Sequence, residues 1–139
     1  MRRLLALAMV LATTLTAAGC SDSTGPADSL AGTYSLSSVN GVTLPVTVIG
    51  GPGAGYTEEV IGGSIVLDTQ GNYTGTIRYR DTYANQQPTV FDDTIVGYWT
   101  LSGTTLTLTD SQTGDQYFGT VSGRTITLSN SGYTEVYTK

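Results

Sequence analysis

Carboxylates and aromatic rings are the side chains of this sequence whose type and spacing could support chemistry. There is no histidine and a single cysteine, Cys20, so the commonest general base and the usual thiol nucleophile have few or no representatives. The acidic residues include two adjacent pairs, Glu58-Glu59 and Asp92-Asp93. Because neighbouring side chains of a strand point to opposite faces, neither pair can serve by itself as the paired carboxylates of a hydrolase. We therefore predict that the protein is not an enzyme.

Two polar segments, residues 68–72 and 110–115, superficially resemble calcium-binding loops. Neither has the alternating oxygen ligands and the distal glutamate of an EF-hand, whereas Asp, Asn and Gly stabilise β-turns locally. The glycine-rich segment 50–55 is not followed by the Gly-Lys-Ser/Thr of a phosphate-binding loop. We predict no metal and no cofactor, and we interpret these segments as turns and a rim loop.

The aromatic residues are nine tyrosines, two phenylalanines and one tryptophan. Aromatic pairs stabilise sheets without any ligand, so core packing is one interpretation of them. Aromatic rings that point into a barrel can also line a pocket, where they offer apolar walls and a hydroxyl that orients a ligand. The candidate ligand contacts are Tyr34, Tyr73, Tyr79 and Trp99.

These side chains must be positioned by a domain that begins after an N-terminal targeting segment. Two arginines precede an apolar run, residues 4–12, that is too short to span a bilayer, and Ala17-Ala18-Gly19 comes directly before Cys20. The cysteine after Ala-Ala-Gly resembles the lipobox of bacterial lipoproteins, which are cleaved before the cysteine and lipidated on its thiol. Ala17 departs from that pattern, which more often has leucine. We expect residues 1–19 to be a signal peptide and Cys20 to carry the lipid.

Lipidation predicts that the protein is anchored to a membrane of the cell envelope and does not span it. Acyl chains contribute about 0.8 kcal/mol per buried CH₂, so two or three of them hold a protein on a bilayer. In lipoproteins of this kind an Asp after the cysteine favours the inner membrane, and here that residue is Ser21. We therefore predict attachment to the outer membrane, facing the periplasm. Four basic residues remain after cleavage against eleven acidic ones, which argues against nucleic acid as a partner.

The mature chain has the length of one domain. Residues 20–29 are rich in Ser, Asp, Gly and Pro without apolar periodicity, which predicts a flexible tether. From residue 30 to residue 139 apolar and polar residues alternate, Thr, Tyr, Val and Ile are frequent, and no helical period is sustained. We predict strands at residues 32–39, 44–49, 56–67, 73–83, 89–101 and 133–138, with further strands between the last two.

Turn residues separate these predicted strands. Asn40-Gly41 is a strong hairpin signal because both residues tolerate positive φ, and Gly62-Gly63 predicts a bend or bulge. The inward face of strand 89–101 is ambiguous, because both of its faces carry apolar residues.

An internal repeat gives the clearest view of the architecture. Residues 101–108 (LSGTTLTL) match residues 121–128 (VSGRTITL) at a constant offset, and each copy is a strand end, a tight turn and an alternating strand. This is the repeat of an antiparallel up-and-down meander. With eight to ten strands, we predict a closed or nearly closed β-barrel, since closure removes exposed strand edges.

Several short segments carry a resemblance to a known family. Residues 32–36 (GTYSL), followed by Asn40-Gly41 and Leu44-Pro45, are similar to the opening strand of small bacterial lipocalin-like lipoproteins. Segments similar to its final hairpins are residues 99–103, 119–123 and 136–139. Tyr34 stands where true lipocalins have tryptophan, and the barrel is shorter than theirs.

The resemblance implies a non-enzymatic envelope lipoprotein that binds a small apolar or amphipathic molecule in its barrel. The alternative is a packed barrel that acts as a scaffold or inhibitor and recognises another envelope protein through its surface. Both stay open at this level, because an eight-stranded barrel is just wide enough to be filled by side chains or to hold one small ligand.

Overall fold

The computed structural model describes residues 29–51, 53–130 and 132–139. Cys20, the predicted signal peptide and all of the predicted tether except Ser29 lie outside the described residues. The described residues form ten strands: β1 Gly32–Val39, β2 Val42–Thr43, β3 Val46–Gly50, β4 Tyr56–Leu67, β5 Asn72–Tyr83, β6 Thr89–Ser102, β7 Thr105–Asp110, β8 Gln116–Ser122, β9 Thr125–Asn130 and β10 Tyr133–Thr138. In this part of the chain no helix has the length and apolar character needed to cross a membrane.

Eight of these strands close into an antiparallel barrel. Each strand from β4 to β10 pairs with the next along the chain, and β1 pairs with β10 on one edge and with β4 on the other. This architecture confirms the predicted meander. Closure gives backbone hydrogen-bonding partners to strand edges that would otherwise recruit other chains.

At the seam between β1 and β4, the two strands pair along only part of their length. Residues 32–35 of β1 pair with residues 64–67 of β4, and beyond this stretch the two strands part. There β2 pairs with β1 at Ser38 and Val39, and β3 pairs with β4. The β2–β3 excursion therefore fills the gap that the parted strands leave at one end of the barrel.

The predicted second strand, residues 44–49, differs from the observed elements. The chain forms the short strand β2 at Val42–Thr43 and then β3 at Val46–Gly50. The interruption coincides with Pro45, whose nitrogen carries no hydrogen to donate to a ladder. The predicted bulge in β4 is confirmed, because the β4–β5 register shifts between Val60 and Gly62.

The internal repeat folds as two equivalent hairpins, β6–β7 and β8–β9. Leu101 pairs with Leu106 in the first, and Val121 pairs with Ile126 in the second. Gly103 and Gly123 open the two turns with φ of 61° and 58°, and positive φ at the first central residue is the pattern of a type II′ turn. We call the end of the barrel that carries these two turns the base.

The hydrophobic core fills the base. The strand residues that are less than a tenth exposed and pack there include Tyr34, Leu67, Trp99, Leu106 and Ile126, and Leu30 packs with them from outside the strands. The ambiguity of β6 is thereby resolved: Trp99 points inward, whereas Val96 and Tyr98 are exposed on the outer face. Odd-numbered residues of β6 therefore face the barrel interior.

Candidate functional site

A cavity of about 240 Å³ lies inside the barrel, between the packed base and the opposite end. Its lining comes from seven strands and consists of Ile65, Tyr73, Gly75, Thr76, Ile77, Tyr79, Asp93, Ile95, Leu108, Tyr117, Leu128, Asn130, Glu135 and Tyr137. Asp93 and Asn130 are exposed to solvent, so the cavity opens at the end away from the base. We call this end the mouth.

The position of the Tyr73 ring follows from the small residues beside it. Tyr73 of β5 pairs with Gly97 of β6, and a Cβ at Gly97 would stand 2.9 Å from the ring and 1.9 Å from the carbonyl oxygen of Thr109. Only glycine fits there. The other edge of the ring lies over Gly75, which is two residues nearer the mouth, so the ring leans along the cavity wall toward the mouth.

The hydroxyl of Tyr73 has no hydrogen-bond partner among the described residues, although the side chain is only 4 % exposed. Burial, followed by the negative charge of Asp110 and by Tyr117, raises the pKa of Tyr73 to about 12. A buried polar group without a partner costs stability, and native proteins retain few of them. This hydroxyl can therefore form a hydrogen bond with a group that enters the cavity.

Two carboxylates, Asp93 of β6 and Glu135 of β10, stand in the cavity wall. The hydroxyl of Tyr137 donates a hydrogen bond of 2.8 Å to Oε2 of Glu135. Burial raises the pKa of Tyr79, and the charges of Asp93, Glu135 and Glu58 raise it further, in that order. These carboxylates therefore lie close enough to the Tyr79 hydroxyl to disfavour its ionisation.

The adjacent acid pairs are divided between the two faces of the sheet, as the alternation of a strand predicts. On the outer face Arg78 forms a two-pronged ion pair with Asp92, with distances of 2.7 and 2.8 Å. Arg80 pairs with Glu59 at 2.7 Å. The inner members, Asp93 and Glu58, line cavities instead.

A second cavity of about 160 Å³ adjoins the first at the mouth. Tyr79 and Glu135 line both, and β3 contributes Val48 and Ile49 to the second. The β2–β3 excursion therefore builds one wall of the mouth.

A network of polar groups lies on the neighbouring part of β4 and β5. The hydroxyl of Tyr56 lies 3.0 Å from Oε2 of Glu58 and 2.9 Å from Oδ1 of Asp81. A tyrosine has one hydroxyl proton, so it donates to one of these carboxylates at a time. No group of three acidic or cysteine side chains in the described ranges is arranged to hold a metal ion.

The structure separates the four predicted ligand contacts into two pairs. Tyr73 and Tyr79 line the cavity. Tyr34 and Trp99 lie in the base, where the Tyr34 hydroxyl donates to the carbonyl oxygen of Leu30 at 2.8 Å and the Trp99 indole donates to that of Asp68 at 3.2 Å. The polar atoms of this second pair are thus used within the protein.

Sequence reasoning considered Asp93 only as half of an adjacent acid pair and did not connect it with Asn130 or Glu135. Asp93, Asn130 and Glu135 lie on three different strands, so no local spacing connects them. The one available signal was strand parity: once Trp99 of β6 is assigned inward, Asp93 faces inward as well.

A scan against protein-family models, a search of curated proteins and a search of solved structures each give no match for this chain. Its class is that of a closed eight-stranded antiparallel barrel with two additional strands, an architecture consistent with a lipocalin-like fold.

Proposed function

We propose that this protein binds a small amphipathic molecule in the cavity of its barrel and is held on an envelope membrane by a lipid on Cys20. The observation that carries the proposal is the composition of the cavity. Apolar side chains such as Leu108 and Leu128 line it together with the carboxylates of Asp93 and Glu135 and with tyrosine rings. Ligand pockets combine apolar walls with a few placed polar groups in this way.

The size of the cavity limits the ligand. A volume of 240 Å³ corresponds to about eight water molecules at liquid density, or a ligand of about ten non-hydrogen atoms. Together with the adjoining cavity at the mouth, the space enters the range of roughly 300–1,000 Å³ that is typical of small-molecule sites. A single ring with a short polar chain suits these dimensions.

The anchor and the non-enzymatic role are supported by the sequence. The predicted signal segment ends directly before Cys20, and the chain has no histidine to act as a general base. A tethered barrel of this kind would keep its ligand at the membrane surface. We propose the periplasmic face of the outer membrane, because Ser21 follows the cysteine.

Filling the cavity tests the proposal. The full-length protein, purified from envelopes, is analysed by native mass spectrometry for a retained small molecule. Ile95 lines the cavity, so the larger side chain of Ile95→Trp should occupy the cavity. Val96→Trp, one residue away on the exposed outer face, is the matched control. We expect Ile95→Trp to lose the retained molecule and Val96→Trp to keep it, with unchanged circular dichroism. Equal retention by both variants would contradict cavity binding.

A second candidate function is supported by the outer face of β6. Val90, Val96 and Tyr98 are 53 %, 42 % and 53 % exposed there, and exposed apolar patches mark protein-interaction sites. A scaffold or inhibitor that recognises another envelope protein would use this face. Cross-linking that is lost in Tyr98→Ser and preserved in Ile95→Trp would favour this function over cavity binding.

A further inference from the structure

Resting on the proposed function, this inference concerns the charge of the ligand. We propose that the cavity takes an organic cation, a protonated amine on an apolar body. The ammonium group lies among the carboxylates of Asp93 and Glu135, and the apolar body packs against the apolar part of the lining, which includes Leu108 and Leu128. The hydroxyl of Tyr73 receives one N–H of the amine.

The basic side chains of the described residues have their partners away from the two cavities. Arg78 and Arg80 are committed to the outer acids Asp92 and Glu59. Lys139 donates to the carbonyl oxygen of Ala31, and Arg124 lies between β8 and β9 at the base. None of these four, which are all the basic residues of the described part of the chain, lines either cavity.

The sign of the charge along the two cavities follows from this pairing. The arginines neutralise the outer member of each acid pair and leave the inner members, Asp93 and Glu58, facing the cavities. Glu135 adds a third carboxylate that lines both cavities. A cleft lined by charges of one sign concentrates counter-ions, here cations. The raised pKa of Tyr79, caused by burial and then by these three carboxylates, agrees with this sign.

The hydroxyl of Tyr73 supports the same ligand for a reason other than charge. Tyr73 lines the same cavity, is almost fully buried and has a hydroxyl without a partner among the described residues. A primary amine carries several N–H donors, so it can bond a carboxylate and still supply one hydrogen bond to this oxygen. A carboxylate ligand could also accept from the hydroxyl, but it would be repelled by Asp93 and Glu135.

The aromatic and apolar residues of the cavity lining favour an organic cation over an inorganic one. Tyr79 stands between the two cavities, and its ring stacks on Phe91 with the centroids 5.3 Å apart. Aromatic faces attract ammonium groups, and the apolar side chains of the lining, such as Leu108 and Leu128, favour a ligand with an apolar body. An amine with a single aromatic ring meets both requirements within the volume of the cavity.

Three probes that each carry one aromatic ring and a short polar chain test the inference on the full-length lipoprotein in lipid nanodiscs, by isothermal titration calorimetry. They are phenethylamine, the neutral phenylpropanol and the anionic phenylpropionate. We expect phenethylamine to bind about tenfold more tightly than phenylpropanol, because its hydrogen bonds involve charged groups, and phenylpropionate to bind most weakly. The preference for the amine should shrink as salt is added.

Variants of the adjacent pair Asp92-Asp93 test whether the inner carboxylate binds the amine. Asp93→Asn should weaken phenethylamine binding by about three- to tenfold and leave phenylpropanol unchanged, since the site is partly open to solvent. Asp92→Asn, its outer neighbour, should change neither. Because Asp93 is exposed, both variants should fold.

The outcomes separate the two proposals. Phenylpropanol binding as tightly as phenethylamine, or equal weakening by Asp92→Asn and Asp93→Asn, would overturn the cationic ligand and leave the cavity as a binding site. A retained natural ligand with no amine binding would do the same. Binding of none of the three probes, together with no retained molecule in native mass spectrometry, would overturn the proposed function as well.

Discussion

Replacing Tyr73 by phenylalanine should make the unliganded protein more stable. The hydroxyl of Tyr73 is buried without a partner among the described residues, and a group in this state costs about 1–3 kcal/mol. Phenylalanine keeps the ring over Gly75 and Gly97 and removes only the oxygen. We expect a gain of about 1 kcal/mol, which raises the midpoint of thermal unfolding by about 4 °C for a domain of this size.

Tyr34→Phe is the matched control with the opposite sign. The Tyr34 hydroxyl is also buried, but it donates to the carbonyl oxygen of Leu30 at 2.8 Å. Its removal should lower the free energy of unfolding by about 1 kcal/mol. Thermal unfolding followed by circular dichroism measures both variants without ligand. If Tyr73→Phe destabilised the protein as much as Tyr34→Phe, the Tyr73 hydroxyl would have a partner in the free protein, and the reasoning would be wrong.

Three further predictions concern the repeat, the anchor and acid stability. Gly103→Val and Gly123→Val force a β-branched residue to positive φ, so each should lower the free energy of unfolding by about 1–2 kcal/mol and lower the unfolding midpoint by a similar amount. Neither variant should lose a retained ligand. A variant with unchanged stability that loses the ligand would assign its turn to recognition. Cys20→Ala should abolish metabolic palmitate labelling, and labelling at the wild-type level would refute lipidation at this residue. Hydrogen bonds from the side chain and backbone of Asn72 lower the pKa of Asp68, so its stabilising effect is complete above its unfolded pKa of about 3.9 and is lost as pH falls through the lower folded value. Asp68→Asn should therefore flatten the acid limb of urea-unfolding midpoints, and an unchanged limb would contradict this role.

The strands were predictable where alternation and turn residues coincide. The boundaries of β1 and β4 agree with the sequence prediction, because Asn40-Gly41 ends the first and turn-forming segments, residues 50–55 and 68–72, flank the second. The division of β2 and β3 was missed, although Pro45 marked it. The inward face of β6 could not be chosen from its own residues, since both faces carry apolar side chains. It is set by pairing with β5, which places Gly97 beneath the ring of Tyr73.

The cavity itself was beyond sequence reasoning. Whether a barrel is filled depends on the side chains that all eight strands direct into the same layer. Asp93 and Glu135 come from strands that are not neighbours in the sheet, and their common location follows only from closure. Tyr73 and Tyr79 were predicted as ligand contacts, but nothing in the sequence pattern distinguished them from Trp99, which packs in the base.

The short ladder at the seam between β1 and β4 has a consequence for how the barrel moves. β1 and β4 are joined through residues 32–35 and 64–67, a much shorter ladder than the one joining β4 to β5. Local opening is easiest where few hydrogen bonds must break together. The ladder between β1 and β10 also has four pairs, so β1 is held by short ladders on both of its edges. Separation of β1 from β4 beside β3 would open the interior of the barrel at its flank.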